Sequence, residues 1–566
     1  MSNGGPKAPK DPTKKRPSVF VLYDKTIEAY GKPEGGSMNP LFLDNERLSN
    51  YAKTIGRVED AEMLALLNSA EGFRKLVHSV GVSIACENTT QEAEFVLHMY
   101  GKSDVYQSGT KHATKIVTNG SEVEIPLSEI DWYGDDVCVG QFLFQFESNW
   151  EVATVNVRLY LNDGYTAPEF VPDAPVDFES AAYKEMIAKS FVSLGNNVRL
   201  KRAIEKAKAG EDVTVAFIGG SITEGAGATP SQKTCYSKVA YDRFCARFGN
   251  GDNVHYTKVG VGGTSSELGM IRYERDILGR GEKPDVVIVE YAVNDAGDET
   301  DGVCFESLVR MAMDGPGNPA VILLFAVFMD DFNLQERMIP VGIRCKSPMI
   351  SLKNAVTPQF SEETPVITKR QYFYDLFHPS NDGHRIMTDC IDYFWEQAEA
   401  APEQTEDAEV DGTPAIGEKY RSLRAFDRAT YKNHEAVKSL REGVFSEKDT
   451  MLQYVEKDDN PKAEAEFPDN WMKPSGSTGE PFRMCLTCKD LLLVYKDSGN
   501  PMFGKAEVRI DGKVTRTVDP LEIGWDHCTA YVVLESDEAA EHEVEISMKE
   551  EDAEKSFTIL GFGYTL

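Results

Sequence analysis

Four strand-like runs alternate with amphipathic stretches between residues 213 and 328, and this alternation limits the fold more than any other feature of the chain. The runs are VTVAFIGG (213–220), VHYTKVGVGG (254–263), DVVIVEYAV (285–293) and PAVILLFAVF (319–328). Between them, SQKTCYSKVAYDRFCARFG (231–249), SSELGMIRYERDILG (265–279) and FESLVRMAM (305–313) read as helices, the first ending at a glycine. A last helix is predicted over NDGHRIMTDCIDYFWEQAEA (381–400), with Ile386, Cys390, Ile391, Phe394 and Trp395 on one side. Apolar strands alternating with helices predict βαβ units and a parallel sheet covered on both faces.

At 566 residues the chain is too long for one core. From about 81 to 161 it reads as short strands rich in Val, Ile, Phe and Tyr and punctuated by Asn-Gly and Asp-Gly, the pattern of a β-sandwich. A partly helical lead-in, DAEMLALLNSAEGFRKLVHSV, precedes them. Strands return from about 480, with IDGK as a hairpin signal. Three prolines in TAPEFVPDAPVDF (166–178) and an acidic stretch at 398–418 mark linkers. The expected organisation is a disordered basic tail over 1–16, an N-terminal β-sandwich over 17–170 and an α/β domain over 171–400. A linker and partly irregular segment over 401–479 and a C-terminal β-sandwich over 480–566 follow.

A net charge of -32 argues against nucleic acid or an anionic membrane as partner, since both repel such a surface. No stretch approaches the roughly 20 apolar residues of a membrane helix, and the lysine-bearing N-terminus lacks the apolar core of a signal peptide. The ten cysteines are scattered. One pair, Cys485 and Cys488, has C-x-x-C spacing, but a zinc site needs four convergent ligands, so chance spacing in a reduced protein is expected. A cytoplasmic location follows as an expectation, and the sequence leaves room for a homo-oligomer.

Ligands of open parallel sheets bind at the carboxyl ends of the strands. Ser221 stands just past the first such end, in GGSITEG, where it can serve as nucleophile or as a helix N-cap. A phosphate loop is excluded by the absence of lysine there. Of the three histidines in the region, His255 reads as a strand residue and His384 as solvent-facing or capping. His378 follows Asp375 by three positions in YDLFHPSNDG, a turn that can bring the carboxylate to one ring nitrogen and leave the other for a serine. The bare backbone at Gly262 and Gly263 and the amide of Asn294, after the second and third strands, can supply oxyanion donors or mark simple turns.

Taken in order, FIGGSITEG, VGVGGTSS, YAVND and DLFHPSNDGH resemble the four blocks of the SGNH hydrolases, the GDSL family of esterases, over about residues 190–400. The resemblance implies a flavodoxin-like parallel-sheet domain in which Ser221 attacks an ester, His378 takes its proton and Asp375 holds His378. Ser221, Gly263 and Asn294 would form the oxyanion hole, with no metal or organic cofactor. Gly220 in the usual aspartate position, Lys258 where asparagine is common and Ala292 in place of a glycine are departures. The flanking sandwiches resemble the jelly-roll-like accessory domains of carbohydrate esterases, including family 2. An acetylated oligosaccharide, of mannan or xylan type, is therefore the expected substrate. Trp132, Trp150, Trp471 and Trp525 are candidates to stack on sugar rings or to fill cores, and Arg272, Asp330 and Asp331 to bind hydroxyls or lie on the surface. A lipid or thioester substrate, or a non-catalytic carbohydrate-binding protein, are the alternatives.

Overall fold

The computed structural model describes residues 14–31, 36–86, 91–148, 150–281, 283–402, 404, 406–407, 412–460 and 463–566. Residues 1–13 of the expected tail and 403, 405 and 408–411 of the acidic linker lie outside the described residues. The chain forms two compact units. One comprises Met1–Ser180 together with Gly227–Thr234 and Gln359–His384; the other comprises Ala181–Ala226, Cys235–Pro358 and Arg385–Leu566.

Two antiparallel sheets build the first unit. One runs in the order Val19–Glu28, Val152–Leu161, Val77–Cys86, Val123–Pro126; the other runs Tyr30–Gly31, Ser37–Phe42, Asp136–Phe146, Glu92–Gly101, Lys111–Val117. Period-2 alternation sets which face is dry. In Val152–Leu161, Ala153, Val155, Val157 and Leu159 are buried while Thr154 and Arg158 are exposed. Both sheets contribute to one apolar core, where Phe95 meets Phe142 and Phe144 at ring distances of 5.1 and 5.7 Å. The helical lead-in forms Ala61–Leu66 and Ala70–Leu76, capped by Asp60 and Ser69 side chains that accept from backbone N–H groups of the first turn.

The second unit holds a six-stranded sheet: β1 (Phe191–Ser193), β2 (Val213–Gly219), β3 (Val254–Gly260), β4 (Val286–Glu290), β5 (Ala320–Phe325) and β6 (Met349–Ser351). Its spatial order is β1-β6-β5-β4-β2-β3, parallel except for the β1–β6 edge pair. Every residue of β2 and β4 is buried, as central strands covered on both faces must be. Because β3 pairs on one side of β2 and β4 on the other, the topology reverses at β2, which opens a crevice between the carboxyl ends of β2 and β4.

An eight-stranded antiparallel sheet completes this unit. It draws on strands at Arg424–Phe426, Val437–Arg441 and Trp471–Lys473 as well as on those after 480, so the segment read as a linker and partly irregular supplies part of the sheet. These strands are three to five residues long, too short to show periodicity. Along Phe482–Asp497 burial alternates at first and then becomes continuous. The change marks where the strand gains cover on its second face: Leu491, Leu493 and Tyr495 join the core of the C-terminal sheet, and Leu492 and Val494 join the apolar cluster containing Leu268, Ile271 and Val289. Cys485 and Cys488, three apart on this strand, point to opposite faces and cannot share a ligand.

Leu492 is fully buried and Val514 is 45% exposed. Leu492→Ala is expected to destabilise the protein by about 2–5 kcal/mol in urea unfolding, against less than about 0.5 kcal/mol for Val514→Ala.

Candidate active site

The end of β2 is clamped before Ser221 is reached. Arg272, fully buried, donates to the Gly219 carbonyl and to Tyr291 Oη at 3.2 Å each, and is fixed by Asp276 at 3.1 Å. Its role is thus neither hydroxyl binding nor surface charge. Gly220 then holds the N-cap position of a single-turn helix, Ser221–Glu224, of which Ser221 is the first residue. Thr223 in the same turn donates to Glu290 Oε2 at 3.0 Å and pairs with Tyr236 Oη at 2.8 Å. Ser221 therefore sits on a turn held by a neighbouring strand and two helices, one residue inside the N-cap position that Gly220 occupies.

Asn294 opens the turn after β4, on the other side of the crevice. Its side chain lies so close to Gly220 that a β-carbon there would fall 2.3 Å from Asn294 Oδ1. Glycine in the position where the family usually has aspartate is thus a packing requirement of this chain. Asn294 Oδ1 is buried with no hydrogen-bond partner among the described residues. The next residue, Asp295, accepts from the N–H and Oγ of Ser266 at 2.7 and 2.8 Å and ties the turn to the helix that follows β3.

The turn after β3 carries Gly262 and Gly263, the latter at φ +73°, a conformation that favours glycine. Lys258, buried on β3, donates to the Glu224 carbonyl at 2.7 Å, so the departure from asparagine there serves the Ser221 turn. The Glu224 carboxylate accepts the Gly262 N–H at 2.9 Å. Two contributions come from far along the chain, and of their residues sequence reasoning named Trp525 alone, without placing it at this turn. Gln453 Nε2 donates to the Gly262 carbonyl at 2.8 Å, and a β-carbon at Gly263 would lie 3.0 Å from both His527 Nε2 and Trp525 Cζ2. Trp525 is 44% exposed, whereas Trp471 is buried in the C-terminal core and Trp132 donates its indole N–H to the Leu127 carbonyl.

Asp375 and His378 belong to the first unit. Asp375 Oδ1 accepts the N–H groups of Phe377 and His378 at 2.8 and 2.7 Å, and Oδ2 lies 2.7 Å from His378 Nδ1. Burial pushes this carboxyl up, but the His378 ring and the two N–H groups outweigh it and hold it below the usual carboxylate range. The loop is seated on the N-terminal sheets: Tyr374 meets Tyr23 edge-on at 6.0 Å, Leu376 packs on their core, and Arg370 pairs with Asp24. Asn381 holds Thr229 by two backbone hydrogen bonds of 2.7 Å. Thus the structure brings Asp375 and His378 together in one unit, and places Ser221, Gly263 and Asn294 at three successive strand ends of the other. His384, expected to face solvent or to cap, is fully buried, and His255 meets Asp212 at 3.1 Å on its strand. Asp330 accepts the Phe332 N–H in a local turn, and Asp331 occupies φ +68° beside it.

Three carboxyls around the Ser221 and Asn294 turns are pushed up by burial: Glu290 to about 8, Asp295 to about 7 and Glu224 to about 7. An acid whose folded pKa exceeds its unfolded value favours the folded state fully below the unfolded value and loses that advantage as pH rises to the folded one. Glu290→Gln keeps an acceptor for Thr223 but cannot ionise. Its stability relative to the parent is therefore expected to rise between pH 5 and pH 8 by up to roughly 1.4 kcal/mol per pH unit, read from melting temperatures at both pH values.

Residues 217–386 match the model of the GDSL-like Lipase/Acylhydrolase family. No curated protein matches the chain. Among solved structures, a two-domain esterase (CEX) active on acetylated mannans is similar at 25% identity and a TM-score of 0.56, covering 67% of this chain and 98% of that one. A structure of a two-domain esterase of that description, co-crystallized with mannopentaose, is similar at 24% identity and a TM-score of 0.55, over 67% of this chain and 97% of that one. The family match spans the strand ends carrying Ser221, Gly263 and Asn294 and the Asp375–His378 turn, and the chain therefore carries a GDSL-like lipase/acylhydrolase domain.

Proposed function

We propose that the protein is a serine esterase that removes O-acetyl groups from carbohydrates, of mannan or xylan type, through an acyl-enzyme. The observation that carries this reading is the 2.7 Å contact of His378 Nδ1 with Asp375, which assigns the ring proton to Nδ1 and leaves Nε2 as base. Ser221 Oγ attacks the acetyl carbonyl as His378 Nε2 takes its proton. The oxyanion is held by the N–H groups of Ser221 and Gly263 and the Asn294 amide. The sugar hydroxyl leaves with the proton from His378; water then attacks the acetyl-enzyme by the same route in reverse and releases acetate. No step requires a metal or organic cofactor.

The activity of the two-domain esterase on acetylated mannans supports an acetylated mannan as substrate here. An esterase of the same description was co-crystallized with mannopentaose, which is an oligosaccharide of that class. Trp525, exposed beside Gly263, is the ring we assign to a sugar adjoining the acetyl group. In this reading residues 171–400 form the catalytic domain and the flanking sheets are jelly-roll-like modules, the first over 17–170 and the second over 480–566 joined by the strands Arg424–Phe426, Val437–Arg441 and Trp471–Lys473. Ten free thiols favour a reducing, cytoplasmic setting.

Ser221→Ala is expected to abolish release of acetate from acetylated mannan oligosaccharides, measured by mass spectrometry as loss of acetyl increments; undiminished release would refute the assignment. Asp375→Asn, which disturbs the ring tautomer, is expected to lower kcat about 10⁴-fold. Trp525→Ala is expected to raise KM for the oligosaccharide roughly 2- to 10-fold, from about 0.5–1.5 kcal/mol of ring contact, and to leave KM for 4-nitrophenyl acetate unchanged.

A further inference from the structure

Gly262 is tied at both of its backbone polar groups. Its N–H donates to Glu224 Oε2 at 2.9 Å, and its carbonyl accepts from Gln453 Nε2 at 2.8 Å. Gln453 lies 191 residues further along the chain and is 7% exposed. Its Oε1 accepts the Cys528 N–H at 3.0 Å. One end of the amide thus faces an acceptor and the other a donor, which fixes its orientation without ambiguity. Cys528 in turn is anchored in the long C-terminal strand His527–Met548, whose first residue packs on Gly263.

The Gly262 carbonyl and the Gly263 N–H belong to the same planar trans peptide and point in opposite directions. Holding the carbonyl therefore sets the line along which the Gly263 N–H donates. Two successive glycines have no side chain that can do this for themselves, and a misdirected donor loses most of its stabilisation of a developing charge.

We propose that Gln453 is a positioning residue that aims the Gly263 N–H at the oxyanion, so that the C-terminal region completes the catalytic apparatus of the α/β domain. The inference rests on the esterase reading given above. Glu224 restrains the other side of Gly262, and Lys258 anchors the Glu224 turn. The role differs from sugar binding: Gln453 acts on the reacting carbonyl through a peptide and contributes nothing to affinity.

Two variants of the full chain test it. Gln453→Glu keeps an oxygen for the Cys528 N–H but presents an acceptor to the Gly262 carbonyl; Gln453→Met keeps the length without either bond. With 4-nitrophenyl acetate, both are expected to lose roughly 10- to 100-fold in kcat, with KM within about twofold of the parent and labelling of Ser221 by a serine-directed phosphonate still stoichiometric. A folded variant with parental kcat, or one whose loss lies in KM alone, overturns the proposal. A crystal structure of the parent protein's phosphonate adduct tests it without any substitution: the phosphoryl oxygen is expected within hydrogen-bond reach of Gly263 N while Gln453 still holds Gly262, and release of either contact overturns it. Failure of the underlying reading has a separate signature, since a parent protein with no Ser221-dependent hydrolysis would overturn both.

Discussion

The carboxyl end of β2 must stop without side chains, because three other elements converge on it. A β-carbon at Gly220 would meet the Asn294 amide at 2.3 Å, and one at Gly260, on the neighbouring strand, would meet the Glu224 backbone nitrogen at 2.0 Å. Removing these two carbons lets the Ser221 turn, the end of β3 and the turn after β4 approach to hydrogen-bond distance. Everything placed at this rim follows from that closeness. Arg272 reaches the Gly219 carbonyl, Thr223 reaches Glu290, and Lys258 reaches the Glu224 carbonyl. Glycine is costly to order, and here the cost is offset by the fully buried strands β2 and β4 that meet at this rim.

Such crowding has an electrostatic consequence. Ordinary carboxyls cannot all remain charged in a dry rim, and burial raises those of Glu224, Glu290 and Asp295 toward neutrality. Where cations are available the outcome is opposite. Asp276, set among Arg272, Arg275 and Lys457, is buried, yet its neighbours more than offset the burial and hold it well below the carboxylate range. That network also binds Glu466 and so links the helix Ser266–Asp276 to the segment that contains Gln453. A large negative charge on the whole chain is therefore not only a solvated surface. Part of the acidic complement forms the internal framework of one unit, as buried hydrogen-bonding acids or as the centre of a cationic cage.

The sheet and the order of its strand-end residues were legible because each rests on a local pattern. Continuous apolar runs ending in Gly-Gly and in Asn-Asp mark β2 and β4, and an alternating run ending in Gly-Gly-Thr marks β3, with the turns that follow them. The Asp375–His378 contact was legible from a spacing of three, which lets one carboxylate cap two N–H groups and still reach the ring. The paired short strands β1 and β6 at one side of the sheet were not, since three residues carry no periodicity. Nor was the burial of Arg272, which looks like any charged residue on a helix until Gly219 and Tyr291 are seen to need its donors. Gln453, Trp525 and His527 reach the Gly263 turn through contacts that no local signal encodes. A lone glutamine between a tyrosine and a leucine gives no hint of the carbonyl it will bind.

The placement of His378 changes what the N-terminal sheets are for. Their strands could have been read as an accessory module attached to a self-sufficient α/β domain. Yet the segment Gln359–His384 is part of the same compact unit as those sheets. Tyr374 stands on Tyr23, Leu376 on the shared core, Arg370 on Asp24, and the Lys25 ammonium donates to the Arg370 carbonyl. The loop Gly227–Thr234 is fixed there as well, through Asn381 and through Glu28, which accepts the Ser231 N–H at 2.9 Å. The Asp375–His378 turn is shaped by the two N–H groups that Asp375 accepts and by the Tyr374 N–H, which donates to the His378 carbonyl at 2.8 Å, and its seat is the core shared by the two N-terminal sheets. If the base of the reaction is His378, its orientation is a property of the N-terminal fold.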